Sequence, residues 1–202
     1  MDLWITFLGT AASVPSRARG TAATLIAHGS TRVLLDCGEG TQRQLLRSGA
    51  GLVDVDVILL THLHGDHVLG LPGLVKTFAL RGRERPVLIV GPAGLNRLLG
   101  WLGPLMRTSF AVEAHEAQPG ETVATLDGGH IETFQTKHGV PSLGYALVED
   151  DRPGEFRPQA AVALGVTPGP LFGLLQRGET LEVDGRTVTP GDVMGPPRAG
   201  RR

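Results

Sequence analysis

The chain has one cysteine, Cys37, so an internal disulfide is excluded and a reducing compartment fits. It lacks any apolar run of the ~20 residues that a membrane-spanning helix needs, so no membrane partner is expected. It has little net charge, −1 over 202 residues, so bulk charge does not advertise a nucleic-acid partner, and any such partner needs a local basic patch. Lysine is nearly absent: Lys76 and Lys137 are the only two, and arginine carries the positive charge. The N-terminus opens on a strand-like segment without a basic region or cleavage site, so no signal peptide is expected and the location is read as cytoplasmic. Length and a hydrophobic content of 41% suit a globular domain with a sizeable core.

What the chain has in concentration is histidine. Three of its seven histidines fall in Thr61-His62-Leu63-His64-Gly65-Asp66-His67. The run before it, Val55 to Leu60, is short, apolar and β-branched, which predicts a buried strand. The histidines therefore begin where a strand ends, the place where ligands gather in layered sheet proteins. In an extended segment His62 and His64 point the same way. Gly65 lets the chain bend, and Asp66 and His67 return from the far side of the bend. Imidazoles with a carboxylate suit zinc, with manganese or iron as lesser options. Two metals about 3.5–4 Å apart can clamp the attacking and leaving oxygens at a phosphoryl centre.

Other segments are read in order. Leu3 to Leu8 is a first strand, followed by a loop holding Pro15, Ser16, Arg17 and Arg19. Ala22 to Ala27 and Thr31 to Leu35 form a hairpin, with His28 expected as an exposed turn residue. Asp36 to Gly40 turns into a helix bearing Arg43 and Arg47. Asp36 and Glu39 are expected either to orient the histidines by hydrogen bonds or to cap that helix. Cys37 reads as a small buried residue rather than a nucleophile. Val68 to Leu80 reads as one helix despite Pro72, Val87 to Val90 as a strand, and Leu95 to Met106 as a helix. Strands are expected at Phe110 to Glu113 and Glu121 to Leu126. Ile131 to His138 alternates as a strand should. His115 and His130 are not expected to be ligands.

The histidine stretch resembles the His-x-His-x-Asp-His signature of the metallo-β-lactamase superfamily. The longer run to Leu74, and Leu35-Asp36-Cys37-Gly38-Glu39-Gly40-Thr41-Gln42, resemble the ribonuclease Z family within it. That resemblance implies an α+β metallo-β-lactamase fold, a four-layer αββα sandwich, and a zinc-dependent endoribonuclease that removes 3′ trailers from precursor tRNA. It implies two zinc ions. His138, followed by a Pro141-Ser142-Leu143-Gly144-Tyr145 run, joins His62 and His64 at the first. Asp66 and His67 serve the second, with Asp66 also as general base. Arg17, Arg19 and Arg177 are candidate substrate contacts, precursor tRNA the partner, and a homodimer the assembly.

The resemblance also sets the expected organisation. Residues 1–148 form the N-terminal part of the domain, 149–198 an inserted arm that grips tRNA away from the cut, and 199–202 a truncated end. Family members continue with a bridging aspartate, a distal histidine and a leaving-group acid that this sequence does not contain. The second half of the sandwich is therefore expected to be largely missing, and activity impaired. Two rivals stay open: another hydrolase of the same fold acting on small phosphodiesters or esters, and a non-catalytic RNA-binding or dimer remnant.

Overall fold

A computed structural model describes residues 2–52 and 55–202. The chain divides into two compact units, Met1–Val148 and Glu149–Arg202.

The first unit is built on a seven-stranded sheet. Its elements are β1 (Leu3–Ala11), β2 (Gly20–Thr21), β3 (Ala23–His28), β4 (Thr31–Leu35), α1 (Thr41–Arg47), β5 (Val57–Leu59), α2 (Gly65–Val68), α3 (Leu71–Leu80), β6 (Val87–Gly91), α4 (Leu95–Leu102) and β7 (Val112–Glu116). A smaller sheet follows, made of β8 (Thr122–Leu126), β9 (Gly129–Gln135) and β10 (Leu143–Glu149). The large sheet runs β2-β1-β3-β4-β5-β6-β7. β1, β3 and β4 pair antiparallel, while β4 to β7 are parallel. Parallel neighbours need a crossover, and the helices supply it.

Alternation along the strands sorts the core into two layers. Leu34, Ile58 and Ile89 face the helices and pack with Leu45, Leu74, Phe78 and Leu95. Val33, Val57, Leu59 and Val90 face the other way and pack with Leu126, Ile131 and Leu143 of the small sheet. Each of the four helices gives buried side chains to the first layer only. Among the described residues the unit is thus three layers, helix on sheet on sheet, in keeping with a four-layer sandwich whose second half is largely missing. Ile5 and Phe7 of β1 stay 55% and 73% exposed.

Three sequence expectations change. His28 is not an exposed turn residue: it ends β3, pairs with Thr31 and is 1% exposed. Pro72 does not sit inside one helix. It opens α3, where its missing N–H costs nothing, and the predicted segment is two helices. The predicted helix to Met106 stops at Leu102 and continues as a short 3-10 turn through Gly103-Pro104.

The second unit has α5 (Pro158–Ala163), α6 (Pro170–Gln176), β11 (Leu181–Val183), β12 (Arg186–Val188) and α7 (Pro190–Val193). Its own small core gathers Ala161, Val166, Leu175, Val188 and Val193. Its first and last residues are tied: the Glu149 N–H donates to the Arg201 carbonyl, and the Glu149 carboxylate pairs with Arg152 and Arg201. No helix of the described residues is long and apolar enough to cross a membrane.

Candidate metal centre

The parallel strands decide what meets at their carboxyl ends. Leu35, Leu59 and Val90 are in register, so the residues after β4, β5 and β6 emerge side by side. Those residues are Asp36, the histidine stretch and the Pro92–Gly94 turn. The Asp36 N–H donates to the Leu59 carbonyl, which seats its side chain against the histidines.

Asp36 is the hub. It is buried, with a left-handed φ of 59°, a region that Asp and Asn tolerate better than other side chains. Its carboxylate accepts the Thr61 N–H (2.8 Å) and hydroxyl (3.0 Å), and contacts His67 Nδ1 at 2.8 Å. With Nδ1 so occupied, His67 presents Nε2 outward, 3.6 Å from Asp66 Oδ2. A carboxylate behind a histidine fixes its ring and tautomer, a device common behind metal ligands. The expected supporting role of Asp36 is therefore what the geometry supplies. Glu39 differs: it is exposed and sits away from the histidines, beside Arg17 and Arg19.

Backbone contacts hold this arrangement. The Cys37 N–H donates to the His67 carbonyl, and the Gly70 N–H to the Cys37 carbonyl. A Cβ on Gly38 would lie 2.2 Å from the Asp66 carbonyl oxygen, so only glycine permits the approach. Cys37 is fully buried there, and burial pushes its thiol up to about 12, which leaves it inert as a nucleophile.

His138 arrives from the loop between β9 and β10. That loop is tied back to the large sheet. Ser142 pairs with His62, the Leu143 N–H donates to the Thr61 carbonyl, and the Tyr145 hydroxyl donates to the Leu60 carbonyl. The result brings His62, His64 and His138 together, with one nitrogen from each within 4.8 Å of the others. Their ring centroids lie 4.5–5.2 Å apart, and His67 is 4.0 Å from His62. Such crowding of imidazoles disfavours protons. Burial first, and then the neighbouring histidines, hold His62 below the ordinary histidine range. Burial also works against the His67 cation, but the Asp36 hydrogen bond and charge outweigh it and raise its pKa.

Asp66 accepts the Ser13 N–H at 2.8 Å. Burial alone would raise its pKa. That hydrogen bond and the nearby histidines prevail and hold it below the usual carboxylate range. Ser13, with a left-handed φ of 62°, was not legible as part of the site. It joins the metal loop to the segment bearing Arg17 and Arg19. These two exposed arginines line a groove of about 300 Å³ with Arg43 and Arg47 of α1. Arg177, the third candidate contact, lies in the second unit, exposed and 3.5 Å from Glu179. His115 bonds Glu121 at 2.5 Å and His130 lies 3.9 Å from Glu132, so neither joins the cluster.

The sequence profile of the metallo-beta-lactamase superfamily matches residues 16–192. The chain belongs to that superfamily. Its curated relatives include Ribonuclease Z of Methanosarcina acetivorans, 45% identical over 98% of this chain and 66% of the relative. Ribonuclease Z of Myxococcus xanthus is 47% identical over 99% of this chain and 66% of the relative. Among solved structures, human tRNase Z, short form, superposes with a TM-score of 0.65 at 34% identity, over 72% of this chain and 64% of that one. The chain thus spans about two thirds of the length of the curated relatives it matches. In this metallo-beta-lactamase chain, the His-x-His-x-Asp-His loop follows the carboxyl end of β5, and Ser142 and Leu143 at the start of β10 are tied to it.

Proposed function

We propose that this chain carries the metal-binding and RNA-positioning part of a ribonuclease Z-type endonuclease, a zinc-dependent hydrolase that removes 3′ trailers from precursor tRNA. The observation that carries the reading is the convergence of His62, His64, His138, Asp66 and His67 at the strand ends, in a chain 45% identical to Ribonuclease Z over 98% of its length.

The donor set fits zinc. Three imidazoles suit a borderline-soft cation, and nitrogens within 4.8 Å of one another would draw in by up to ~1.4 Å to reach the ~3.4 Å edge of a tetrahedron with bonds of 2.0–2.1 Å. His62, His64 and His138 would hold the first ion, and Asp66 and His67 would lend donors to a second. When bound, zinc supplies Lewis acidity and lowers the pKa of water to about 7.

The chain's own residues do the rest. Asp36 fixes the His67 tautomer by accepting its Nδ1 proton. Asp66, held ionised, is a ready ligand and accepts a hydrogen bond from the attacking water. Its low pKa makes it a weak general base by itself, since a base works best with a pKa near the operating pH. Arg17 and Arg19, with Arg43 and Arg47, take backbone phosphates, which positions RNA without reading its bases. In the second unit, Arg177 contributes to an arm that grips tRNA away from the cut. There the Arg177–Glu179 and Arg152–Glu149 pairs moderate the positive charge. The protein acts in the cytoplasm as a homodimer.

A groove bearing four arginines suits a polyanion better than a small diester. The test gives the zinc-loaded chain a precursor tRNA with a 3′ trailer and, separately, bis(p-nitrophenyl) phosphate, and reads binding as well as cleavage. Precursor tRNA is expected to bind. Replacing Arg17, Arg19, Arg43 and Arg47 with Ala should flatten the salt dependence of log K by ~0.7–0.9 for each phosphate that an arginine had neutralised. Turnover of the small diester with no binding of tRNA would overturn the reading.

A further inference from the structure

Beside the candidate metal centre lies a cavity of about 220 Å³ that shares no lining residue with the arginine groove. It forms where the turn after β6 meets the loop after β5. His64 stands on its wall, with Leu63, Ala93, Gly94, Val140 and Pro141 around it and Arg97 of α4 on its lining. We propose that this cavity is a nucleobase subsite, seating the base next to the phosphate held at the metal centre. The inference rests on the nuclease reading and deepens it.

Three features argue for a base rather than a phosphate. The first is that the helix start here is already spent. The Gly94 and Asn96 N–H groups both donate to Glu116 Oε1, at 3.0 and 2.9 Å, and the Leu95 N–H donates to the Pro92 carbonyl. The Glu116 carboxylate thus occupies the position at the start of α4 that a bound anion would take. Second, most of the wall is apolar, supplied by Leu63, Ala93, Val140 and Pro141. Gly94 has a φ of +102°, and a Cβ there would stand 3.4 Å from Leu63 Cδ1, so glycine leaves a smooth surface. Third, the fixed cation on the lining is a planar one. The Arg97 guanidinium lies over the Trp101 ring, 5.6 Å from its centroid. An arginine held over a ring can stack a base or take its polar edge, and proteins read unpaired RNA bases in this way. The size agrees: the cavity is below the ~300–1,000 Å³ of sites for drug-sized ligands, which suits a ring system better than a whole nucleotide.

Continuity with the metal centre supplies the occupant. His64 is both a ligand candidate and a cavity wall, so a phosphate at the histidine cluster carries its neighbouring base to the cavity mouth. The arginine groove takes backbone, and the Ser13–Asp66 hydrogen bond ties its loop to the histidine stretch.

The test is equilibrium dialysis of the zinc-loaded chain against AMP and, separately, ribose 5-phosphate, which keeps the phosphate and lacks the base. AMP is expected to be held about tenfold more tightly. Ala93→Phe, which fills the cavity from its lining, should abolish that advantage with zinc content unchanged. Arg97→Ala, on the exposed face of α4, should reduce it severalfold and serves as the second variant if Ala93→Phe misfolds. Equal retention of the two probes, no uptake of AMP, or an AMP advantage that survives both substitutions would overturn the proposal. A base advantage with no binding of precursor tRNA sustains the subsite and fails the nuclease reading alone. Binding of precursor tRNA with no base advantage does the reverse.

Discussion

The three-histidine group and the Asp66–His67 pair are built in opposite ways. The first gathers three donors from segments 74 residues apart, and two of them, His64 and His138, are exposed and touch each other at 3.5 Å. The second has two donors, adjacent in sequence and only partly exposed. Each has support behind it, Asp36 for His67 and the Ser13 amide for Asp66. One group has the ligand count and little scaffolding. The other has the scaffolding and, among the described residues, too few ligands. Donor number and preorganisation are separate properties, and this chain assigns them to neighbouring positions.

The largest effect should come from removing a donor where count matters. His138→Ala should weaken zinc binding by more than the ~10–100-fold that loss of a supporting partner costs. His67→Ala should leave that binding nearly intact, since His67 lies outside the three-histidine group. Calorimetric zinc titration of both variants reads the contrast.

Removing scaffolding should act on the pair. Asp36→Asn keeps the size and the tolerance for positive φ, so it tests the charge alone. In the zinc-free protein, NMR should place the His67 midpoint above ~6.5 and the His62 midpoint below it. In Asp36→Asn the His67 midpoint should fall. The sign for stability follows. A raised folded pKa gives His67 a contribution fully present below ~6.5 and lost as pH rises through its folded midpoint. His62, with a depressed value, acts the other way and costs stability as pH falls. The deficit of Asp36→Asn should therefore be larger at about pH 5.5 than at about pH 8, read by urea denaturation. An equal deficit at both pH values would mean that Asp36 acts by shape rather than charge.

The smallest effect tests the link between the two groups. The Thr61 hydroxyl contacts Asp36 at 3.0 Å and His62 Nδ1 at 3.0 Å. Thr61→Val keeps the shape and should cost about 1.5–3 kcal/mol, as for a hydrogen bond to a charged group. It should lower zinc affinity only severalfold.

Legibility followed sequence distance. His62, His64, Asp66 and His67 were readable because a strand end places adjacent residues together with no help from the fold. His138 was readable as a strand-end histidine whose flanking Pro141-Ser142-Leu143-Gly144-Tyr145 run resembled a known segment. The structure shows why that run matters: Ser142, Leu143 and Tyr145 are the contacts that bind the loop to β5 and the residues after it. Ser13 was invisible because its contribution is a backbone N–H, which any residue but proline offers. His28 was misplaced because Gly29-Ser30 marks the turn but does not tell which side of it is covered. The helix and strand order was largely readable from periodicity. The layered arrangement was legible only through the family resemblance, because it depends on which sheet faces find partners.

The most direct measurement is zinc per chain, by elemental analysis of the purified 202-residue protein and its His138→Ala and His67→Ala variants. The account predicts one tightly held zinc in the parent, none in His138→Ala and one in His67→Ala. Zinc lost from His67→Ala and kept in His138→Ala would contradict it, and would place the working site on the scaffolded pair.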